Sequence, residues 1–92
     1  MNIQHEETET KGAFFVEQDG KRLAEMTYSK AGLDKIIIDH TEVSDELRGK
    51  GVGVRLVKKA VERARENNLT ILPLCPFTKS VFERKPELRD VI

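Results

Sequence analysis

The segment from Lys35 to Leu74 constrains the fold more than any other part of the chain. It opens with an apolar run, Ile36-Ile37-Ile38, crosses the acidic stretch D-H-T-E-V-S-D-E-L, and reaches R-G-K-G-V-G, where Gly49, Gly51 and Gly53 alternate. From Gly51 to about Asn67 the period becomes helical. Val52, Leu56, Val57, Ala60, Val61 and Ala64 form one stripe, with Arg55, Lys58, Lys59, Glu62, Arg63 and Glu66 mostly off it. Leu69 to Leu74 then returns to a β-prone pattern. A strand, a helix and a strand in this order predict a parallel pair joined by a right-handed crossover. The triple isoleucine predicts a central strand covered on both faces.

The same segment places a helix N-terminus directly after a strand. Such a terminus carries free backbone N–H groups and a partial positive charge. Glycines there let an anion approach without meeting a Cβ, or they serve only a sharp turn and close helix–sheet packing. The P-loop pattern is excluded, because no Lys-Ser/Thr follows the glycines in frame, and the dinucleotide fingerprint is excluded because the third glycine comes one residue early. What remains is R-x-x-G-x-G on Arg48, Gly51 and Gly53.

The rest of the chain reads as support for this unit. Met1 to Lys11 is polar and acidic and is expected to be a loose tail or an edge segment. Ala13 to Val16 and Arg22 to Tyr28 read as strands around an Asp19-Gly20 hairpin turn, with Ala24, Met26 and Tyr28 on one face and Glu25 and Thr27 on the other. Ser29 to Asp34 is a turn, and Lys35 to Val43 is the strand that carries the isoleucines. Pro73 is expected to break strand pairing near the end of Leu69–Leu74. Phe77 to Lys85 predicts a short helix with Val81 and Phe82 inward, stopped by Pro86, and the last six residues give no clear element. The expected architecture is a single α/β domain over residues 1–92: a mixed, largely antiparallel sheet with one parallel β-α-β unit.

Val43 to Gly53, V-S-D-E-L-R-G-K-G-V-G, resembles motif A of the GNAT N-acetyltransferase superfamily, commonly V-x-P-E-x-R-G-K-G-I-G. Val43, Glu46, Arg48, Gly49, Lys50, Gly51 and Gly53 match, and Asp45 stands where proline is usual. The resemblance covers about residues 22 to 85. It implies a minimal acyl-CoA N-acyltransferase fold in which backbone amides from Arg48 through Gly49, Lys50, Gly51 and Val52 to Gly53 hold the pyrophosphate of acetyl-CoA. It also implies that the strand end at Thr41 to Val43 runs beside the pantetheine arm, in a gap where two strands splay apart. The chain lacks room for the family's helix before the motif-carrying strand and for its two C-terminal strands, and so is similar to the short, single-domain subgroup. Many relatives carry N-x-x-A-x-x-L-Y-E-K after the next strand, with a tyrosine that protonates the CoA thiolate. Here C-P-F-T-K-S-V-F-E-R puts Phe82 at the tyrosine position and Cys75 at the asparagine position.

Two side chains are therefore candidates for the chemistry. Transfer to an amine needs a base, and imidazole is the side chain that titrates near neutrality. His40 ends the isoleucine strand, and Cys75 ends its expected parallel neighbour. The C-terminal ends of adjacent parallel strands lie together where ligands bind in open α/β sheets, so His40 and Cys75 are expected to meet, a pairing associated with the short subgroup. Cys75 then acts as a nucleophile with His40 generating the thiolate, or as an acid in place of the phenol; otherwise it is a buried core thiol and His40 a strand-end imidazole. The implied activity is acetyl transfer from acetyl-CoA to an amine on a small molecule or a protein. The alternative is a non-catalytic acyl-CoA-binding or sensing module.

Composition limits other functions. Lys+Arg and Asp+Glu are 16 each, so there is no general pull on nucleic acid or acidic lipid. One cysteine excludes an internal disulfide, and with two histidines, one of them (His5) in the polar tail, a metal site lacks ligands at sensible spacing. No apolar run has the length of a membrane span and no signal-peptide pattern opens the chain, so a cytoplasmic protein is expected. Nothing in the pattern calls for more than a monomer.

Overall fold

Strand alternation and two glycine-containing turns lay down a sheet before any helix is reached. In the computed structural model, which describes Met1–Ile92, the strands are β1 (Gln4–Glu7), β2 (Lys11–Gln18), β3 (Lys21–Lys30), β4 (Lys35–Val43) and β5 (Thr70–Pro73). They form one sheet in sequence order, antiparallel from β1 to β4 and parallel between β4 and β5. Asp19 and Gly20 both have positive φ in the β2–β3 hairpin, the backbone that an Asp-Gly turn favours. Two helices follow, α1 (Val52–Asn67) and α2 (Pro76–Arg84), and 3-10 turns occupy Asp45–Leu47 and Pro86–Val91. No helix is long and apolar enough to cross a membrane.

Cross-strand partners fix which side chains share a face. Phe14 faces Met26, Val16 faces Ala24, and Tyr28 faces Ile38. These join the α1 stripe (Val52, Leu56, Val57, Ala60, Val61, Ala64) and Val81 and Phe82 of α2 in one buried core. Both helices thus lie on one side of the sheet. The cover expected on both faces of the isoleucine run is absent: Ile36 and Ile38 are buried, whereas Ile37 points to the bare face. That face protects its own apolar residues with charge: the Arg22 guanidinium lies 3.8 Å above the Phe15 ring and pairs with Glu6 at 2.6 Å and Glu25 at 2.5 Å. The C-terminal residues, without an assignment from sequence, form the second 3-10 turn and bury Leu88 and Val91 in the core.

One irregularity matters for the site. Thr27 pairs with His40 and Tyr28 with Ile38, which leaves Asp39 without a partner, as a β-bulge in β4. An extra residue inverts the alternation beyond it. The face covered by the helices therefore receives Ile36, Ile38, Thr41 and Val43, and the bare face receives Ile37, His40 and Glu42, with the unpaired Asp39 exposed.

The N-terminal segment takes the edge form of its two expected forms. Gln4–Glu7 pairs with β2, and His5, read from sequence as part of a polar tail, stacks on Phe14 with ring centroids 4.3 Å apart. The Tyr28 hydroxyl donates to the Glu7 carboxylate at 2.6 Å and lies 2.6 Å from His5 Nε2. Lys30 and Arg63 reach the same carboxylate at 3.0 and 3.1 Å. Burial pushes the Glu7 carboxyl up, but the hydrogen bonds from Tyr28 and Lys30 and the charge of Arg63 outweigh it and bring it down to about 2. Burial pushes the Tyr28 phenol up, helped by Glu7, and the His5 imidazole down, helped by Arg63. A depressed carboxyl contributes stability that is present above its ordinary value of 4.5 and is lost as pH falls through about 2. Glu7→Gln is therefore expected to cost about 1–2 kcal/mol near neutrality. Followed by urea unfolding at a series of pH values, it should also flatten the loss of stability between pH 4.5 and about 2.

Candidate active site

β5 accompanies β4 only partway. The register runs from Lys35↔Thr70 to Ile38↔Pro73, and the Leu74 and Cys75 amides then both turn to the Ile38 carbonyl. Pro73 has no N–H with which to continue the ladder. Beyond Ile38, β4 has no strand on that side, and the backbone from His40 to Val43 borders an opening.

Both helices begin at this end of the sheet. Gly51, at φ +70, is the N-cap of α1, and Gly49 has φ +79; a Cβ on either meets nothing within 4 Å. These two glycines are required by left-handed backbone, not by a crowded neighbour. Gly53 differs, because a Cβ there would stand 2.6 Å from Cζ of Phe77, in the first turn of α2. Its role is the close approach of two helix starts. The first intrahelical bond of α1 is Arg55 N–H to the Gly51 carbonyl, so the amides of Val52, Gly53 and Val54 have no helical acceptor. No side chain caps this end and its first turn has no acidic residue. It is fitted to receive an anion.

A cleft of about 280 Å³ lies over that turn, lined by Val43, Leu47, Arg48, Gly49, Gly51, Val52, Gly53, Val54, Phe77 and Arg84. A second, of about 240 Å³, shares Val43, Arg48 and Phe77 with it and extends to Thr41. Together they run from the open edge of β4 to the N-terminus of α1. Thr41, Val43, Arg48, Gly49, Gly51, Val52 and Gly53, all singled out in the sequence, are brought together here, whereas Lys50 is exposed and outside the lining. The sequence reading missed Phe77 and Arg84. A basic residue in the last turn of the short C-terminal helix was the available signal for Arg84. Phe77 had none, since only tertiary packing lays it on Gly53. Arg48 also pairs with Asp45 at 3.0 Å, the residue at the usual proline position.

Cys75 is the N-cap of α2, with Pro76 as the first helical residue. Its thiol is buried and donates to the Thr41 hydroxyl at 3.5 Å, and the Thr41 hydroxyl lies 3.4 Å from that of Thr78, which is 0% exposed. Burial pushes the thiol up; the Thr41 hydroxyl, the Thr78 amide and hydroxyl and the Phe77 amide, all donors available to the ionised sulfur, outweigh it and bring the thiol below its ordinary value. His40 and Cys75 do not meet as expected. The imidazole lies on the bare face, 59% exposed and 3.4 Å from Glu42. The cause is the Asp39 bulge: unbroken alternation continues from Ile36 and Ile38 to His40, and the inserted residue gives that place to Thr41.

A five-stranded mixed sheet that splays beside a glycine turn and two converging helix starts is the architecture of the N-acetyltransferase fold. The profile of the GCN5-related N-acetyl-transferase family matches residues 13–91, and the chain belongs to that family. No curated protein matches. Among solved structures, a GCN5-like protein from Staphylococcus aureus, determined in solution by NMR, is 44% identical, with a TM-score of 0.74 over 98% of this chain and 87% of its own. The ribosomal-protein-alanine N-acetyltransferase of Brucella melitensis is 20% identical, with a TM-score of 0.68 over 84% of this chain and 62% of its own. A Clostridium acetobutylicum protein crystallised with acetyl-CoA is 16% identical, with a TM-score of 0.65 over 82% of this chain and 56% of its own. At these identities the last two establish a shared fold.

The Gly53–Phe77 contact gives a direct test of the packing. Gly53→Val must displace the ring or separate the two helix starts, and is expected to lower stability by about 1–3 kcal/mol in denaturant unfolding. Phe77→Ala in the same chain should restore part of that loss.

Proposed function

We propose that this protein transfers an acetyl group from acetyl-CoA to an amine, with Cys75 as the nucleophile. The observation that supports this reading best is the opening between β4 and β5, which has an uncapped helix start at its far end and is lined by Thr41, whose hydroxyl accepts from the buried Cys75 thiol. The free amides of Val52, Gly53 and Val54, with Arg48 and Arg84 on the rim, suit the pyrophosphate. The unpaired backbone of Thr41 to Val43 suits the amide groups of the pantetheine arm, which then points the thioester towards Cys75. Lys50 is an additional phosphate contact only from the turn's outer side.

In the first step, the Cys75 thiolate, its proton already lost to water, bonds the acetyl carbon and the carbon–sulfur bond to CoA breaks, releasing the CoA thiolate. In the second, the amine nitrogen bonds that carbon, the bond to Cys75 breaks, and the cysteine thiolate returns. We assign the amine's proton to His40, whose imidazole is exposed on the bare face of β4. The acceptor therefore approaches from the side of the sheet without helices. Phe82 replaces the family's phenol and is buried in the core, so the leaving thiolate receives its proton from another donor or from water.

Intact-protein mass spectrometry after incubation with acetyl-CoA tests the covalent step. An acetyl adduct removed by hydroxylamine and absent from Cys75→Ala is expected. Turnover without an adduct refutes the covalent route, and CoA binding with neither adduct nor turnover indicates a binding module. Gly51→Val probes the cradle: CoA affinity should fall by about tenfold or more, equivalent to about 1.4 kcal/mol, while the variant still folds. Unchanged affinity refutes the assignment of the anion site.

A further inference from the structure

The separation of His40 from Cys75 raises the question of what activates the thiol. Cys75 occupies the position that Ser, Thr, Asp or Asn normally takes at a helix N-terminus, where a side-chain acceptor meets the amides of the second and third helical residues. In α2 those residues are Phe77 and Thr78. The first helical bond is Lys79 N–H to the Cys75 carbonyl, and Pro76 has no N–H, so two donors remain beside the sulfur. The neutral thiol makes no capping bond to them. A thiolate, a far stronger acceptor, has both available.

The hydroxyls complete the arrangement. In the neutral state the thiol hydrogen is directed to Thr41 Oγ1. Once that proton has passed to water, the Thr41 hydroxyl can rotate and donate to sulfur. Thr41 Oγ1 then accepts from the Thr78 hydroxyl, 3.4 Å away. The chain Thr78 to Thr41 to sulfur is polarised in one direction, and each bond strengthens the next. Thr78 is 0% exposed, and its hydroxyl faces both the Thr41 hydroxyl and the Cys75 sulfur. The charged groups nearest in the adjoining cleft are Arg48 and Arg84, which line it with Val43 and Phe77. Asp39, His40 and Glu42 are exposed away from it on β4, Arg55 and Lys79 are exposed on the first turns of α1 and α2, and β5 has no ionisable residue.

We propose that Thr41 and Thr78 are positioning residues for Cys75, which together with the first-turn amides of α2 hold it as a thiolate without an imidazole base. The inference rests on the reading of Cys75 as the reacting group, but its test uses the free protein and no acetyl-CoA. The rate of Cys75 alkylation by iodoacetamide is measured against pH, for the wild type, Thr41→Val, Thr78→Val and the conservative Thr41→Ser and Thr78→Ser, with thermal unfolding as a check on folding. Each valine variant is expected to move the alkylation midpoint to higher pH and to slow the reaction severalfold at neutral pH. The rates should converge with wild type in strong alkali, and the serine variants should retain most of the wild-type profile. His40→Ala should leave the midpoint in place. A midpoint unmoved in both folded valine variants, or moved by His40→Ala, overturns the proposal. A shifted midpoint with no acetyl adduct in the wild type leaves the thiolate seat standing and refutes only the covalent route.

Discussion

One unpaired residue in β4 decides which side chains meet at the open end of the sheet. Side chains alternate with a strict period of two, so a residue inserted at Asp39 exchanges the faces of everything beyond it. Thr41 and Val43 turn inward to the cleft, and His40 and Glu42 turn outward. Because β5 ends its pairing at Ile38, just before the bulge, the inverted part of β4 is also the part with a free edge. The two features together produce a strand end whose inner side chains and backbone both border the cleft.

The chemistry of that cleft comes mostly from backbone. The first turns of α1 and α2 touch through Gly53 and Phe77, so two helix starts, each with unpaired amides, lie side by side. Their partial positive charges point at neighbouring places, one at the space over Gly51 and the other at the sulfur of Cys75. An overall neutral chain thus presents two local concentrations of positive potential with few cationic side chains. The glycines divide this work. Gly49 and Gly51 supply backbone that a Cβ opposes, and Gly53 supplies space.

Much of this was legible in the sequence. The α1 stripe, the Asp-Gly hairpin, the parallel pair and the inward Val81 and Phe82 all follow from local periodicity and turn chemistry, and all are present. The N-terminal edge was only half legible. His5 and Glu7 look like tail residues because their partners, Tyr28, Lys30 and Arg63, lie far along the chain. The cover expected over Ile37 failed for a related reason: an apolar triplet reports affinity for a core but not how many faces that core has.

By itself the sequence determined the elements, their order and the position of an anion-receptive helix start, because alternation, helical period and glycine placement act over a few residues. It also determined that a single thiol follows the second parallel strand. Only the tertiary structure decided what that thiol faces. A bulge has no compositional signature in D-H-T-E-V, and it exists because β3 pairs with β4 in one register before Asp39 and in another after it. That choice is made between strands rather than within one, and it placed Thr41, not His40, beside Cys75.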